Sequence, residues 1–370
     1  MSKAAELANL IGNINAGGGG VNRNVVINGA MNVAQRATSK ANVASSGYYV
    51  CDRFRVGVNT SGRSTLSQDS SSPSGFANSL KIACTTADTS VASDEVFSIQ
   101  HKIEGQNLQG FAKGTSDAKP FAVSFYVKGN ASATFACELI DNDNSRQITK
   151  LFNVTTDWTR VKLSFPPDTT GTLDDDNASS MTIVIWLHAG SDFTSGTLNS
   201  SSWASSVSAN RAGGISSIYD STDRTFFITG FQMEVGQNPT SFEHEPFERT
   251  LAKCYRYTQR LPHFDNTSGG GYAGICTVGR NDNTTLNSSS AMLPVTMRED
   301  PAIESQSGNF RIHHANTGTA TTNIQIDDEI CTSGVIHFNS TVSSGLTAGD
   351  GGQLQQNGDS DAHLIIESEL

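Results

Sequence analysis

The sequence predicts an all-β protein in which a jelly-roll-like β-sandwich is followed by a second, smaller β-sandwich. Charged residues make up 16% of the chain, against about 25% in an average soluble protein, and helix surfaces are built largely from them. In their place stand 46 serines, 36 threonines and 34 glycines among 370 residues, a composition that suits strands and turns. Short apolar segments alternate with polar turn residues, and 18 Phe and 3 Trp supply side chains for cores.

Charge, hydropathy and cysteine spacing exclude several classes of protein. The net charge of −11 comes without a basic stripe, so we expect no nucleic-acid partner. No apolar run approaches the roughly 18 residues of a membrane span, so we expect no membrane insertion. Six cysteines lie far apart without a C-x-x-C pair, which predicts reduced, buried thiols. Residues 1–12 lack the apolar core of a signal peptide, so no export signal is expected.

Residues 1–20 are predicted to form an anchoring helix and a flexible tether. Ser2 can cap a helix in which Leu7, Leu10 and Ile11 share one face. A helix of about ten residues is too short to be stable alone, so its apolar stripe is expected to dock on another protein. The glycines at 17–20 follow as the tether, and a disordered tail is the alternative interpretation.

Residues 21–245 are predicted to form the jelly-roll-like sandwich. Val161, Leu163 and Phe165 alternate with polar residues, as in a strand with one buried face. Residues 182–187 are almost continuously apolar, which favours a strand deep in a sandwich. Turns rich in Gly, Ser and Asp separate the strand-like segments, which favours one large sandwich. These segments are residues 24–28, 48–58, 79–84, 95–103, 121–128, 132–140, 151–154, 158–165, 181–188 and 225–234.

A linking helix at 246–262 and a second sandwich at 263–370 complete the predicted architecture. Pro246 and Glu248 suit a first helical turn, and Leu251 and Cys254 lie on one face of the helix that follows. The remaining segments again resemble strands separated by turns. They are residues 271–279, 287–296, 302–307, 309–314, 320–326, 330–339 and 363–370.

Two acidic loops are the candidate metal sites. Asp141 and Asp143 lie in one loop, and Asp174 and Asp176 lie in the other. Carboxylates in loops can bind Ca²⁺, but the glycine and the distal glutamate of an EF-hand loop are missing at the required spacing. A structural Ca²⁺ is therefore one hypothesis, and solvated turns without an ion are the other. No further cofactor is predicted.

The sequence contains no recognisable catalytic motif, so the protein is not expected to be an enzyme. A nucleophile elbow, a Walker loop and a His-Glu-x-x-His motif are all missing. A glycosidase pair among the 36 acidic residues stays open, but nothing singles one out. Trp203 lies in a serine-rich loop and is the candidate for contact with a glycan, with a core position as the alternative. Trp158 and Trp186 lie in strand patterns and are assigned to the core.

Three blocks of the sequence resemble virion structural proteins of tailed bacteriophages, of the tail-fibre-like type. NVVINGAMNVAQRATS at 24–39 and GYYVCDRFRV at 47–56 are similar to the opening segments of those proteins. FFITGFQMEVGQNPTSFEHEPFERTLAKCYRYTQR at 226–260 is the most specific block, and its counterpart closes a carbohydrate-binding-module-like sandwich and begins a linking helix. Ala37 and Glu245 depart from the family pattern, which usually has Gly and frequently Arg there. Weaker similarity covers residues 293–303, 344–354 and 361–370.

The resemblance implies a virion protein that is made in the host cytoplasm. Its N-terminus would attach to tail, neck or capsid proteins, and its sandwiches would contact host-surface glycans. Fibres of this type are usually trimers, so a homotrimer is implied. A decoration fibre on the capsid or neck without specific receptor binding is the alternative, and a glycan-degrading enzyme is a third hypothesis.

Residues within the resembling blocks are predicted to close the fold rather than to bind a ligand. Asn28 and Gly29 form a turn signal, because glycine tolerates a positive φ. Asp52 and Arg53 adjoin a strand and can fix its end. Phe247 is expected to wedge the linking helix against the first sandwich.

Overall fold

The computed structural model of the chain describes residues 2–15, 22–263, 270–276 and 279–370. It confirms the predicted all-β class. The chain divides into two compact units, Met1–Thr250 together with Leu370, and Leu251–Glu369.

The described residues contain 22 strands, three α-helices and three short 3₁₀ segments. The strands are β1 (Ser39–Val43), β2 (Gly47–Tyr48), β3 (Arg55–Asn59), β4 (Arg63–Asp69), β5 (Ser79–Thr86), β6 (Val96–Glu104), β7 (Phe121–Gly129), β8 (Ala133–Asp141), β9 (Arg146–Val154), β10 (Thr159–Phe165), β11 (Ser179–Ala189), β12 (Ala204–Ser205), β13 (Thr225–Val235), β14 (Thr258–Leu261), β15 (Gly279–Asn281), β16 (Leu286–Met292), β17 (Ala302–Ser307), β18 (Phe310–His314), β19 (Thr317–Ile326), β20 (Val335–Val342), β21 (Gly351–Gln356) and β22 (His363–Glu367). The α-helices are α1 (Lys3–Asn15), α2 (Ser191–Thr194) and α3 (Phe247–Tyr255), and the 3₁₀ segments are Gly105–Asn107, Gln109–Phe111 and Ser208–Asn210.

The N-terminal unit is the predicted jelly-roll-like sandwich of two antiparallel sheets. One sheet has the order β1-β4-β5-β13-β7-β10, and the other has the order β12-β9-β8-β11-β6-β3-β2. The chain crosses between the sheets from β5 to β6, from β6 to β7 and from β7 to β8, as in a jelly roll. One continuous apolar core is formed by buried side chains from strands of both sheets.

The strand β11 shows why a nearly continuous apolar sequence suits the middle of this sandwich. Ile183 and Ile185 point into the core between the sheets. Val184 and Trp186 point to the opposite face, where Phe193 and neighbouring residues cover them. Both faces of β11 are therefore buried, which removes the polar alternation of a half-exposed strand.

The N-terminal block contains no strand at residues 24–28, in contrast to the prediction. Its backbone is irregular there, and Asn28 adopts a positive φ of 59°. The Asn24 side chain bonds to the backbone of β13, donating to Phe231 O at 3.2 Å and accepting from Met233 N at 3.0 Å. These side-chain hydrogen bonds and a single backbone bond, from Val25 N to Met233 O at 3.0 Å, take the place of a regular strand ladder.

The helices differ in extent from the sequence prediction. The N-terminal helix α1 runs from Lys3 to Asn15, and the tether predicted at 17–20 lies outside the described residues. The linking helix α3 ends at Tyr255, and Thr258–Leu261 forms β14 instead of continuing it. The side chain of Phe247 is 51% exposed, so the prediction that it wedges this helix against the sandwich is wrong. No helix among the described residues is long and apolar enough to cross a membrane.

The C-terminal unit is the predicted smaller β-domain, and six of its strands close into a barrel. The barrel order is β15-β16-β20-β19-β18-β21, and β15 pairs with both β16 and β21. A three-stranded sheet of order β14-β22-β17 accompanies it. Alternation in sequence indicates which face of a strand is buried, but closure depends on register and strand tilt. Phe310, Ile312 and Phe338 are among the residues of its core.

The cysteines confirm the prediction of reduced, buried thiols. All six are free and buried. They divide evenly between the units, with Cys51, Cys84 and Cys137 in the first and the other three in the second.

Candidate functional site

A network of hydrogen bonds around Asn28 holds the first two resembling blocks together. The Asn28 amide donates to Val33 O at 2.9 Å and to Asp52 O at 3.0 Å, and its carbonyl accepts from Asn32 N and Val33 N. The Asp52 carboxylate accepts from Gln35 N at 3.0 Å and from Gln35 Nε2 at 2.6 Å. These contacts are internal to the fold, as expected of residues that close it.

The third block joins the first through Asn24 and Glu243. Beside the bonds of Asn24 to β13, the Glu243 carboxylate accepts from Asn22 N at 2.6 Å and from Asn24 N at 2.9 Å. Gly29 fits against β13 so closely that a Cβ there would lie 2.0 Å from Phe231 O. Segments about 200 residues apart in sequence therefore form one interlocked element.

A buried lysine occupies the centre of the first acidic loop. The Lys113 ammonium lies 2.5 Å from Asp141 Oδ2 and 3.1 Å from Asp168 Oδ2. It also donates to Thr170 O and Gly171 O at 2.9 Å each. Two carboxylates and two carbonyls are the kind of oxygen set that Ca²⁺ prefers. Here the ammonium supplies the positive charge, so Asp141 is not a calcium ligand.

Of the other three candidate aspartates, Asp143 and Asp176 accept hydrogen bonds from backbone N–H groups of the loops. Asp143 Oδ2 accepts from Asp174 N at 3.0 Å, and Asp176 Oδ1 accepts from Ala178 N at 2.9 Å. All three are exposed. Within the described part of the chain, none of the four aspartates belongs to a group of side chains able to share a metal ion. The geometry therefore does not support Ca²⁺ in these loops: a buried lysine pairs with Asp141, and Asp143, Asp174 and Asp176 lie exposed in turns.

The structure places Trp203 in the core, which contradicts its assignment as a glycan contact. Its side chain is 7% exposed, and its ring centroid lies 5.6 Å from that of Phe121. The indole N–H donates to Pro166 O at 2.9 Å. A ring enclosed in this way has no free face for a sugar. The burial of Trp203 is not evident from the sequence, because most of the residues around it in this loop are serines and other polar residues.

The residues proposed for anchoring lie on α1. Leu7 is 57% exposed and Ile11 is 49% exposed, so neither is covered by the rest of the chain. The side chain of Leu10 lies outside the described residues. Two members of the predicted apolar stripe are thus accessible to a partner, and anchoring stays a prediction.

The best candidate for a ligand site is a pocket at one end of the N-terminal sandwich, here called the end pocket. Its cavity volume is only about 40 Å³, and the pocket is open to solvent. Asn130 shapes one side, donating to Asp223 O at 2.5 Å and accepting from Thr225 N at 3.0 Å. The turn between β7 and β8 and the segment before β13 form its walls. The lining residues are Asn130, Ala131, Ser132, Ala133, Phe135, Val154, Ser216, Ser217, Ile218, Asp220, Arg224 and Thr225.

An Asp220–Arg224 pair gives the end pocket its polar character. Arg224 Nε donates to Asp220 Oδ1 at 2.5 Å, and Nη2 donates to Oδ2 at 2.9 Å. The hydrogen bond to Asp220 raises the pKa of Arg224, so the guanidinium is charged at neutral pH. A carboxylate has about four lone-pair sites and a guanidinium has five N–H donors, so the pair retains acceptors and donors side by side. Both side chains remain partly exposed, at 45% and 32%.

Sequence reasoning missed this pair. Asp220 and Arg224 are four residues apart, a spacing that suggests an ion pair only on a helix. They lie in the segment before β13. The other wall of the end pocket contains Asn130 and Ser132, which come about 90 residues earlier in the chain. Only the strand order brings the two segments together.

Comparison with known proteins identifies no family. No protein-family model matches the chain. No curated protein matches it either.

Three solved structures with a similar fold each cover between 55% and 58% of this chain. TmCBM61 in complex with β-1,4-galactotriose is 10% identical, with a TM-score of 0.29 over 58% of this chain and 99% of its own. The family 11 carbohydrate-binding module of the Clostridium thermocellum cellulase Lic26A-Cel5E is 12% identical, with a TM-score of 0.27 over 55% of this chain and 99% of its own. The enzymatically active domain of tailspike protein 4 from bacteriophage CBA120 is 10% identical, with a TM-score of 0.30 over 58% of this chain and 21% of its own. Similarity at this level carries no conclusion about what the chain binds.

Proposed function

We propose that this chain is a virion appendage protein of a tailed bacteriophage, anchored through α1 and binding host-surface glycans at the end pocket. The observation that carries the proposal is the interlocking of the three blocks that resemble such proteins. If the three similarities were independent chance matches, the segments that carry them would not be expected to contact one another in the fold. Here Asn24, Asn28, Asp52 and Glu243 join all three blocks through hydrogen bonds.

Glycan binding at the end pocket follows from the groups that it presents. Each hydroxyl of a sugar both donates and accepts hydrogen bonds, and adjacent hydroxyls match the adjacent acceptors and donors of Asp220 and Arg224. Ser132 adds an exposed hydroxyl on the opposite wall. A single site of this kind binds weakly, near millimolar or about −4 kcal/mol. A trimer with several such sites would gain roughly 10²–10⁴ in avidity.

Binding without cleavage is part of the proposal. Glycoside hydrolysis uses two carboxyl groups on either side of the scissile bond. The residues that line the end pocket include one carboxylate, Asp220, and both of its oxygens accept hydrogen bonds from Arg224. This arrangement supplies no general acid.

The glycan-binding part of the proposal is tested by measuring the binding of the untagged full chain to surface polysaccharide from the phage's host bacterium. We expect Arg224→Ala to weaken binding by about tenfold or more, because a charged hydrogen bond contributes roughly 1.5–3 kcal/mol. Arg280→Ala is the matched control, since Arg280 also pairs with a neighbouring aspartate, Asp282, but lies in the other unit. Equal binding by both variants would contradict the assignment of the end pocket.

The virion arm is tested on purified phage particles. Mass spectrometry is expected to find the chain in particles, and immunogold labelling should place it on their surface. Deleting residues 2–15 is expected to leave a folded protein that no longer joins the particle. A protein that is present on particles but binds no polysaccharide would favour the decoration fibre. Release of reducing sugar would favour the enzyme.

A further inference from the structure

Three metal-ligating side chains from distant parts of the chain meet inside the N-terminal unit. Asp88 follows β5, Glu95 precedes β6, and His188 lies near the end of β11. One donor atom from each lies within 4.8 Å of the other two. All three are buried, with exposures of 6%, 7% and 1%. The cluster adjoins the end pocket, because Ser217 lines that pocket and also contacts His188.

The two carboxylates of this cluster lack a fixed positive partner. Thr60 Oγ1 and Ser61 N donate to Asp88 Oδ2 at 2.8 and 3.1 Å, and Ser90 N donates to Oδ1 at 3.2 Å. Within the described residues, neither Asp88 nor Glu95 forms an ion pair with a lysine or an arginine. Buried like charges at this distance repel, so they favour a cation or a shared proton between them.

The imidazole of His188 is held with one nitrogen directed at the carboxylates. Nδ1 lies 2.7 Å from Ser217 Oγ, and Nε2 lies 3.3 Å from Glu95 Oε2. The ring of Tyr219 packs edge-on against it at 5.4 Å. The first contact is a good hydrogen bond and the second is long. Metal-binding histidines commonly donate their second ring N–H to such an outer partner, which orients the free nitrogen.

We propose that Asp88, Glu95 and His188 form a binding site for a divalent transition-metal ion, with Zn²⁺ as the best match. Two carboxylate oxygens and one imidazole nitrogen are a donor set that zinc accepts, whereas Ca²⁺ and Mg²⁺ prefer oxygen ligands alone. Zinc bonds of about 2.0–2.2 Å place tetrahedral donors roughly 3.4 Å apart. The donor atoms of this cluster reach that spacing with small side-chain rotations, since they already lie within 4.8 Å of one another.

The bound ion would join the ends of three strands. It would tie the segment that follows β5 and the start of β6 to the end of β11, and all three belong to the N-terminal sandwich. We therefore assign it a structural role, in which zinc stabilises the sandwich at this end. This role does not depend on glycan binding or on attachment to a particle.

The test uses untagged, full-length protein that has been stripped of metal with a chelator, incubated with Zn²⁺ and desalted. Elemental analysis is expected to give one zinc per chain, and Tm is expected to rise by at least about 2 °C at saturating zinc. His188→Gln and Glu95→Gln should each bind zinc at least about tenfold more weakly and lose the Tm response. His244→Gln, which alters an exposed histidine of the same unit, should behave as the wild type.

Two results would overturn the proposal. One is a wild-type chain that takes up no zinc and shows no change in Tm, which would leave a shared proton as the counter-charge. The other is that the His188→Gln and Glu95→Gln proteins, shown to be folded by circular dichroism, still retain one zinc per chain.

Discussion

Lys113 carries its ammonium group into the interior of the N-terminal unit, where four oxygen atoms surround it. The side chains of Lys113 and Asp141 are fully buried, and that of Asp168 is 5% exposed. Asp168 also accepts two hydrogen bonds from Arg146, at 2.7 and 3.0 Å. A tethered cation of this kind holds the acidic loops without depending on the calcium concentration.

Replacing Lys113 with methionine is expected to destabilise the N-terminal unit by about 3–5 kcal/mol. The change keeps the length of the side chain but leaves Asp141 buried without its cation, and breaking a buried pair from one side has this cost. Urea denaturation followed by fluorescence measures the loss. Lys128→Met is the control, because Lys128 lies on β7 of the same sandwich at a partly exposed position. A loss below about 1 kcal/mol, typical of surface pairs, would contradict the assigned role.

The contacts of Asp168 lead us to expect a decline in stability at acid pH. Burial raises the pKa of Asp168, but the hydrogen bonds from Arg146, Thr170 and Lys113 lower it by more, so its pKa in the folded protein lies below the ordinary value. The resulting stabilisation is complete above the unfolded pKa of about 3.9 and is lost as the pH falls through the folded pKa. The free energy of unfolding, measured from pH 7 to pH 2, should therefore depend less on pH in Asp168→Asn than in the wild type. Parallel curves would refute this.

At the scale of elements, the centre of β13 is a bulge that faces the first block. The register of β13 with β7 shifts between Thr229 and Gln232, and Gly230 lies at φ +62°. Phe231 N consequently turns out of the ladder and donates to Gly29 O at 2.9 Å. Bulges of this kind re-aim the backbone, and here the bulge binds the N-terminal segment to the strand that closes the sandwich.

Gly29→Ala is expected to destabilise the protein by about 1–3 kcal/mol, because the new methyl group would overlap the backbone of Phe231. Thermal unfolding monitored by circular dichroism would report the loss as a lower Tm. Gly110→Ala is a matched control, since a Cβ there meets nothing within 4 Å. If both variants melt with the wild type, the close approach of Gly29 to β13 is not required for the fold.

At the scale of the whole molecule, both units keep their thiols away from solvent. Burial raises the pKa of Cys276 to about 12 and also raises the pKa values of Cys51 and Cys137. The thiolate is the reactive form, so inaccessible thiols with raised pKa values react slowly. Such cysteines also resist oxidation in the folded state.

Ellman's reagent is expected to find no reactive thiol in the native protein and six after unfolding in urea. Ser201→Cys supplies a positive control, because Ser201 is exposed and its replacement should react at once. Intermediate urea concentrations that release three thiols would show that one unit unfolds before the other. Rapid reaction in the native wild type would contradict the burial of these residues.

The amino-acid sequence was sufficient to predict the all-β class, the jelly-roll-like sandwich, the short N-terminal and linking helices and the buried thiols. These follow from composition and from the alternation of apolar residues, which are local properties. It also indicated the residues that close the fold, because asparagine, glycine and carboxylate side chains have few structural uses at such positions.

Which polar and aromatic groups contact one another became clear from the three-dimensional structure. Trp203 is buried, the Lys113 ammonium lies in the first acidic loop, and residues 24–28 bond to β13 without forming a strand. The Asp220–Arg224 pocket and the cluster of Asp88, Glu95 and His188 each combine segments far apart in the chain. Sheet order and barrel closure depend on the register between strands that are far apart in the chain, and a local sequence pattern does not report that register. The candidate sites depend on the same register.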